Sequence, residues 1–272
     1  MTIYQNGIVN NMINSELKSQ GKLPDYIIIG VQKAGTTALI NNLGKHPDIL
    51  IAKVEVENSK RLKKEINFFS HEDRWEKGIT WYSNLFSEPD KIQGEKSPSY
   101  MKNAKAIERM AEVIPDVKLI IMLRNPVTRA YSAWNHFNQS IKKSQKRGWR
   151  IESFETAISL AEQKEKPFTS LLALGNYMHQ INTLLQYFPQ EQLFFGIAER
   201  FLEDPNGQIN KVLDFLGAER MDLEPEIRHK REYSEGINPE TKKHLEKLFE
   251  PYNQQLFDFL GEEIAEWKGS DQ

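Results

Sequence analysis

Cysteine is absent from the 272 residues of this chain. A protein without cysteine has no disulfide framework, no zinc site with thiolate ligands and no thiol nucleophile. The absence is typical of proteins that fold in a reducing compartment, and the composition therefore favours a cytoplasmic location.

Long apolar runs and linker-like stretches are missing as well. No window of about 18 consecutive apolar residues occurs, so the sequence predicts no transmembrane helix. Residues 1–22 are polar and lack the apolar centre of a signal peptide, and we interpret them as an N-terminal extension. Because no later stretch is rich enough in Pro, Gly or Ser to separate two domains, residues 23–268 are predicted to form a single domain.

The chain also lacks a large excess of charge of one sign. Its 36 Lys and Arg residues oppose 38 Asp and Glu residues, which gives a formal net charge of -2. Without a basic field there is no general attraction for nucleic acid, so we expect no nucleic-acid partner. The six histidines fall into no spacing typical of metal ligands, and no metal site is predicted.

The chain does have enough apolar residues for a packed core, with 39% hydrophobic and 10% aromatic residues. Stretches of strand length alternate with stretches of helical period, which predicts an α/β fold: a central parallel sheet covered by helices on both faces. The predicted strands are residues 26–31, 49–54 (strand or extended loop), 64–69, 94–100 (a strand end and a turn), 117–123 and 192–197. The predicted helices are residues 36–43, 75–86, 104–114, a helix from 126, 154–162, 174–188, 205–216 and 239–260.

Several local features complete this prediction. Residues 55–64 and 141–150 are charged, and we interpret the first stretch as a surface segment and the second as a solvated loop. Gly217 stands where the helix 205–216 requires a left-handed cap. Trp267 is the predicted anchor of the polar tail.

The first predicted strand and helix are joined by a turn with two glycines, at positions 30 and 35. Gly30 and Gly35 stand at the glycine positions of the nucleotide P-loop, G-x-x-x-x-G-K-[ST]. The next residue is Thr36 where the P-loop has Lys, and the cation of this turn is Lys33. The glycines allow backbone N–H groups to face an anion at the positive end of the helix. The turn predicts a phosphate cradle, with a tight connection that binds no ligand as the alternative.

A second candidate anion site follows the strand 117–123. Polar residues directly beyond the carboxyl end of a buried parallel strand are where open α/β sheets bind ligands, and Arg124 stands there. Pro126 fits the first turn of a helix that carries Ser132. For Arg124 alone, a helix cap or a surface salt bridge is the alternative.

A candidate base stands at position 65. Ile66 and Phe68 are apolar and alternate with polar neighbours, so Glu65 is predicted to lie on the opposite face of a short strand. If that face lines a cleft, Glu65 is placed to accept a proton. The alternative is a solvated carboxylate that pairs with Lys64 or Lys96.

Five stretches resemble signatures of the sulfotransferase superfamily, in the branch that includes the heparan sulfate N- and O-sulfotransferases and their bacterial relatives. Residues 30–39 are similar to its 5′-phosphosulfate loop, 123–132 to its 3′-phosphate signature, 64–69 to its K/N-E-x-H-F-F segment, 94–100 to a segment with a site lysine, and 177–189 to its Y-x(11)-P helix. The likeness runs from about Pro24 to Leu260, in order and with compatible spacing. One such motif is weak evidence, whereas five together are specific.

The chain departs from the family pattern in two places. Asn67 stands where many relatives have His, which leaves open any role that this histidine plays beside the base. The segment 54–63 is longer than usual and precedes Glu65. Whether acceptor recognition matches that of the polysaccharide enzymes is therefore open.

The resemblance implies the P-loop-like sulfotransferase fold and a reaction without a metal. A sulfuryl group would move from 3′-phosphoadenosine 5′-phosphosulfate (PAPS) to a hydroxyl, less often an amine, leaving adenosine 3′,5′-bisphosphate (PAP). The catalytic residues it implies are Glu65 as general base, Lys33 at the departing phosphate, and Lys96 at the sulfuryl oxygens or behind Glu65. The nucleotide-binding residues it implies in the loop are Gln32, Lys33, Ala34, Gly35, Thr36 and Thr37, and those at the 3′-phosphate are Arg124 and Ser132. It also implies a late loop that closes over the nucleotide, with Lys230, Arg231 and Tyr233. For these last three residues, an ordinary basic surface loop is the alternative.

Two other functions compete with this interpretation. A P-loop kinase requires a Lys at position 36 and a magnesium-binding acid after a second strand, and the chain has neither. A non-catalytic nucleotide- or glycan-binding module is compatible with the cradle but leaves Glu65 and Lys96 without a purpose.

The absence of secretory features favours a small metabolite, lipid, glycoside or carrier-bound acyl chain as the acceptor.

Overall fold

The computed structural model describes residues 22–56, 59–63, 65–144, 153–166, 168–224 and 236–268. These residues form two compact units. One takes residues 22–123 and 182–224, and the other takes residues 124–181 and 236–268. The single domain over residues 23–268 stays a prediction.

Strands and helices alternate along the described residues, as the sequence predicts. The strands are β1 (Tyr26–Gly30), β2 (Ile49–Ile51), β3 (Val54–Val56), β4 (Ser59–Lys63), β5 (Ile92–Lys96), β6 (Lys118–Leu123) and β7 (Leu193–Ile197). The helices are α1 (Thr36–Leu43), α2 (Glu72–Trp75), α3 (Gly78–Ser83), α4 (Ala104–Val113), α5 (Pro126–Ser144), α6 (Phe154–Glu162), α7 (Ser170–Ala173), α8 (Tyr177–Leu185), α9 (Ala198–Glu203), α10 (Pro205–Leu216) and α11 (Pro239–Leu260). The short helices α7 and α9 were not predicted.

The first unit contains a parallel sheet with the strand order β2-β5-β1-β6-β7. The middle strand β1 has a strand on either side and is buried at all five residues, as expected where helices cover both faces of a parallel sheet. Its Tyr26 lies opposite Gly94 of β5 and opposite Lys118 of β6. Since the strands are parallel, the carboxyl ends of β1 and β5 meet at one edge of the sheet. The predicted α/β class is confirmed, and the turn after β1 lies beside the end of β5.

The segment that precedes Glu65 forms a small antiparallel hairpin. Strand β3 pairs with β4, with Val54 opposite Lys63. The predicted strand or loop over residues 49–54 is divided as a result. Its first part belongs to the parallel sheet and its last residue to the hairpin.

The strand predicted over residues 64–69 is wrong. Residues 65–67 have no regular structure, and residues 68–70 form a turn. Asn67 has a φ of +54°, a left-handed backbone angle that interrupts an extended chain. The predicted alternation of burial still holds, because Ile66 and Phe68 are buried and Glu65 is exposed.

The single helix predicted over residues 75–86 is also wrong. Helices α2 and α3 are separate, and Gly78 at the start of α3 has a φ of +78°. Tyr82 and Phe86 are buried, and their rings pack edge to face with centroids 5.2 Å apart.

The second unit is helical and has its own hydrophobic core. Its buried residues come mainly from α5, α6 and α11, and include Val127, Ala130, Tyr131, Phe154, Ile158, Leu245 and Phe249. Helix α5 runs to Ser144, so the loop predicted over residues 141–150 is wrong for 141–144, and the rest of that loop lies outside the described residues. Trp267 is buried and its ring lies 5.9 Å from that of Tyr177, which confirms the predicted anchor.

Candidate active site

The turn after β1 depends on two glycines, each for a different reason. Gly35 has a φ of +82°, and Lys33 shares this left-handed conformation with a φ of +76°. Gly30 is needed for space, since a Cβ at this position would lie 2.9 Å from the Cβ of Met101. A side chain at position 30 would therefore have to displace Met101, and one at position 35 would strain the turn.

The turn leads into the N-terminus of α1, which no side chain caps. Gly35 is the residue at the cap position, and the first turn of the helix contains no acidic residue. The first N–H groups of a helix have no carbonyl partner within the helix, and the helix dipole makes this end positive. Thr36 is buried and Thr37 half-buried at this end. The arrangement fits an anion such as the 5′-phosphosulfate of PAPS.

Glu65 and Lys96 form an ion pair at the same edge of the sheet. The Nζ of Lys96 donates to Oε1 of Glu65 at 2.6 Å and to Oγ1 of Thr37 at 3.3 Å. The lysine side chain is 3% exposed, whereas that of the glutamate is 48% exposed. A buried ammonium requires such partners, and those of Lys96 join the candidate base to the helix that follows the phosphate cradle. The structure thus brings together three residues that the sequence assigns to the site. The pairing with Lys96 is also the one that the alternative for Glu65 names, but the lysine of this pair is buried and not solvated.

A second, fully buried carboxylate lies at the end of β5. Tyr82 and Tyr100 donate to Oε1 of Glu95 at 2.9 and 3.0 Å, and Ser97 donates to its Oε2 at 2.6 Å. Burial raises the pKa of the Glu95 carboxyl, while these hydrogen bonds and one from the backbone of Ile66 oppose the rise. Burial and the neighbouring carboxylate hold the pKa values of both tyrosines well above their usual range, so both remain donors at neutral pH.

Sequence reasoning missed Glu95, because it assigned only Lys96 of the segment 94–100 to the site. The available signal was a charged residue in a strand that a parallel sheet with helices on both faces would bury. A carboxylate in such a place has to find hydrogen-bond donors nearby. The hydroxyl groups of Ser97 and Tyr100, within five residues, were visible candidates.

In the second unit, the start of α5 is capped by Asn125. Its Oδ1 accepts hydrogen bonds from the N–H groups of Val127 at 3.0 Å and Thr128 at 3.3 Å. The cap is therefore Asn125 and not Arg124, which removes one of the alternatives for the arginine.

Arg124 is held in place at its backbone and at its side chain. The hydroxyl of Tyr177 donates to the carbonyl oxygen of Arg124 at 2.5 Å, and Nε of Arg124 donates to Oγ1 of Thr128 at 3.0 Å. Ser132, two turns along α5, is buried. Tyr177 opens the stretch that resembles the Y-x(11)-P helix, so this motif supports the backbone at Arg124.

The remaining sequence predictions concern the late loop, a metal site and a transmembrane helix. Lys230, Arg231 and Tyr233 lie outside the described residues, so their assignment stays a prediction. Within the described ranges, no three or more His, Asp or Glu side chains are grouped so that they could hold a metal ion. The same ranges contain no helix with the length and apolar character needed to cross a bilayer.

Comparison with known sequences identifies the family. The family model described as "Sulfotransferase domain" matches residues 23–242. Heparan sulfate glucosamine 3-O-sulfotransferase 6 from Homo sapiens is 34% identical over 206 residues, 74% of this chain and 54% of the human protein. Bifunctional heparan sulfate N-deacetylase/N-sulfotransferase 1 from Caenorhabditis briggsae is 28% identical over 278 residues, 92% of this chain and 32% of that protein. The chain therefore spans about half the length of the human relative and about a third of the other.

Comparison with solved structures identifies the fold. The crystal structure of a sulfotransferase from Alicyclobacillus acidocaldarius matches with a TM-score of 0.71 and 27% sequence identity, over 91% of this chain and 100% of that chain. This match confirms the P-loop-like sulfotransferase fold that the five stretches predict. With the sequence match over residues 23–242, it leads to one conclusion: the chain belongs to the sulfotransferase domain family.

Proposed function

We propose that this protein transfers the sulfuryl group of PAPS to a hydroxyl group of its acceptor. The observation that carries the proposal is the 2.6 Å ion pair between Glu65 and Lys96, with Thr37 of α1 as the second partner of the lysine. A binding module has no need of a half-exposed carboxylate joined to a buried lysine beside an anion cradle. A transferase needs both a proton acceptor and a positive charge there.

The turn after β1 and the start of α1 are proposed to bind the 5′-phosphosulfate. Lys33 stands within the turn, and the uncapped N–H groups at the start of α1 supply neutral donors. As the bond between sulfur and the phosphate oxygen breaks, negative charge grows on the departing phosphate. Lys33 and these donors stabilise that charge where water is excluded.

Arg124 and Ser132 are proposed to bind the 3′-phosphate of the donor. The guanidinium offers a fork of charged donors, and the serine hydroxyl a neutral one. The hydrogen bonds from Tyr177 to the backbone of Arg124 and from Arg124 to Thr128 support the proposal, because they orient the arginine in advance. A preorganised side chain loses less entropy when it binds an anion.

Glu65 is proposed to act as the general base. The acceptor oxygen attacks sulfur, a bond forms between them, the bond from sulfur to the phosphate oxygen breaks, and the acceptor proton passes to the Glu65 carboxylate. The exposure of this carboxylate supports the assignment, since an acceptor can reach it from solvent. Lys96 holds Glu65 through its Nζ and is placed to steady the sulfuryl oxygens as well.

Heparan sulfate is the first acceptor to test. The human relative is named a glucosamine 3-O-sulfotransferase, and on that basis we favour a hydroxyl over an amine. A small metabolite, a glycoside, a lipid and a carrier-bound acyl chain are the other acceptor classes, which the absence of secretory features favours. The hairpin of β3 and β4, which precedes Glu65, is the segment that we expect to affect acceptor choice. A cytoplasmic location and a reaction without metal remain part of the proposal.

The experiment supplies PAPS labelled with ³⁵S, first with heparan sulfate and then with fractions of a cell extract. Label that passes to an acceptor in the presence of the wild-type protein, and far more slowly with Glu65→Gln, supports the proposal. Transfer that is equal for both proteins contradicts the role of Glu65. A protein that binds PAP but transfers no label to any fraction would be a nucleotide-binding module instead.

A further inference from the structure

Two successive residues of β5 hold the segment 65–69 in different ways. Side chains at neighbouring positions of a strand point to opposite faces. Lys96 binds the carboxylate of Glu65, whereas Glu95 is fully buried and accepts a hydrogen bond from the backbone of Ile66. The side chain of the candidate base and the backbone that follows it are therefore both tied to the end of the same strand.

The hydroxyl partners of Glu95 extend this hold along the segment. The Oγ of Ser97 donates to Glu95 at 2.6 Å and accepts the N–H of Asn67 at 2.9 Å. The hydroxyl of Tyr100 donates to Glu95 at 3.0 Å and accepts the N–H of Phe69 at 3.4 Å. The N–H of Ile66 thus binds the Glu95 carboxylate directly, and the N–H groups of Asn67 and Phe69 are each connected to it through one hydroxyl.

This connection matters because the segment has no regular structure of its own. Residues 65–67 belong to neither a helix nor a strand, so no ladder or helical hydrogen bonds fix the position of Glu65. The left-handed angle of Asn67 also needs support from its surroundings. The side chain of Asn67 provides some, since its Oδ1 accepts a hydrogen bond from Ser99 at 2.8 Å.

We propose that Glu95 is a positioning residue for the sulfuryl transfer, with Ser97 as its link to the segment that carries Glu65. Glu95 is fully buried and acts through Ser97, Tyr100 and the backbone, so it holds the Glu65 carboxylate where the acceptor proton is released. The inference rests on the proposed function for its effect on turnover. Its structural part, the anchoring of residues 66–69, stands independently of the reaction.

The test compares Ser97→Ala with Tyr82→Phe. Both changes remove a buried hydroxyl that donates to Glu95, but of the two hydroxyls it is that of Ser97 that also accepts the N–H of Asn67. With labelled PAPS and heparan sulfate, or the acceptor found in the cell extract, we expect kcat of Ser97→Ala to fall by about tenfold or more, because small displacements of a catalytic group are costly. KM for the acceptor and Kd for PAP should stay within about twofold of wild type, and Ser97→Thr, which restores the hydroxyl, should regain most of the turnover.

A measurement without turnover accompanies the kinetics. Amide hydrogen exchange of a peptide covering residues 65–70 should be about tenfold faster in Ser97→Ala than in Tyr82→Phe, after correction for global stability. Equal exchange in the two variants, or an equal loss of kcat, overturns the inference. If wild-type protein transfers no label, the proposed function fails, while the exchange comparison still decides whether the link from Glu95 through Ser97 anchors the segment.

Discussion

The Nζ of Lys96 lies 2.6 Å from Oε1 of Glu65, although the two side chains differ greatly in exposure. The lysine is 3% exposed and the glutamate 48%. The lysine Nζ is held by its hydrogen bonds to Glu65 and Thr37, whereas the carboxylate keeps contact with water. The pair thus combines a fixed cation with a base that an acceptor can approach.

Replacing Glu65 by Gln keeps the shape of the side chain and removes its ability to accept a proton. We expect kcat to fall by about a hundredfold or more, with Kd for PAP within about twofold of wild type. Turnover with labelled PAPS and calorimetric titration with PAP measure the two quantities. Glu76→Gln, a change at an exposed carboxylate, serves as the control and should match wild type. Wild-type turnover by Glu65→Gln would place the base elsewhere.

Replacing Lys96 by Met preserves most of the aliphatic volume and removes the buried charge. We expect kcat to fall by about a hundredfold, since Glu65 loses its fixed partner and the sulfuryl oxygens lose a cation. The thermal midpoint should change by only about 3 °C or less, because the half-exposed Glu65 stays hydrated. Lys105→Met, which breaks the surface pair with Glu72, is the matched control for kcat. A variant that is stable and fully active would show that Lys96 has no part in the reaction.

Arg124→Ala tests the proposed 3′-phosphate site. Wild-type protein should bind PAP more than tenfold tighter than adenosine 5′-monophosphate, since a charged hydrogen bond to phosphate contributes about 1.5 to 3 kcal/mol. The variant should lose most of that preference. Titrations with both nucleotides measure it, and Arg220→Ala, at an exposed arginine paired with Asp214, should leave it unchanged. Equal affinity of the wild-type protein for both nucleotides would refute the assignment.

Lys33→Ala tests whether the cation of the turn acts mainly during the reaction. The charge that Lys33 meets grows as the phosphate departs, so kcat should fall more than donor affinity, by about tenfold beyond any change in Kd. Turnover at saturating PAPS and titration with PAP separate the two effects. Lys45→Ala, at an exposed lysine beyond α1, is the control. A loss confined to affinity would make Lys33 an anchor for the donor only.

The ion pairs of Glu72 should make part of the stability of the fold depend on pH. Hydrogen bonds from Arg109 and Lys105 lower the pKa of its carboxyl from 4.5 to about 2. A lowered pKa stabilises the fold above the ordinary value of 4.5, and this stabilisation is lost as the pH falls towards about 2. Thermal unfolding should show wild type more stable than Glu72→Gln at pH 6, with the difference shrinking at pH 3 and nearly gone at pH 2. A difference independent of pH would contradict this role of the carboxylate.

Local sequence signals predicted the elements that depend on residues close in the chain. The helices Pro205–Leu216 and Pro239–Leu260 begin and end where their prolines and following glycines indicate, and Gly217 takes the predicted left-handed angle, with a φ of +82°. The cradle from Gly30 into α1 was visible in the same way, since its glycines and the helix start lie within eight residues. Caps, turns and helical period act over a few residues, so they can be read from the chain.

The sequence by itself determined the α/β class, the family and the candidate residues of the site, because each of these depends on short motifs and their order. Only the tertiary structure decided that Glu65 sits on an irregular segment, that Lys96 is its partner, and that Glu95 anchors the backbone beside it. The Glu65–Lys96 pair joins residues 31 positions apart, and Lys96 also meets Thr37 because β5 lies next to β1, the strand that leads into α1. Strand order and the burial of a carboxylate are properties of the packed molecule, and no local pattern encodes them.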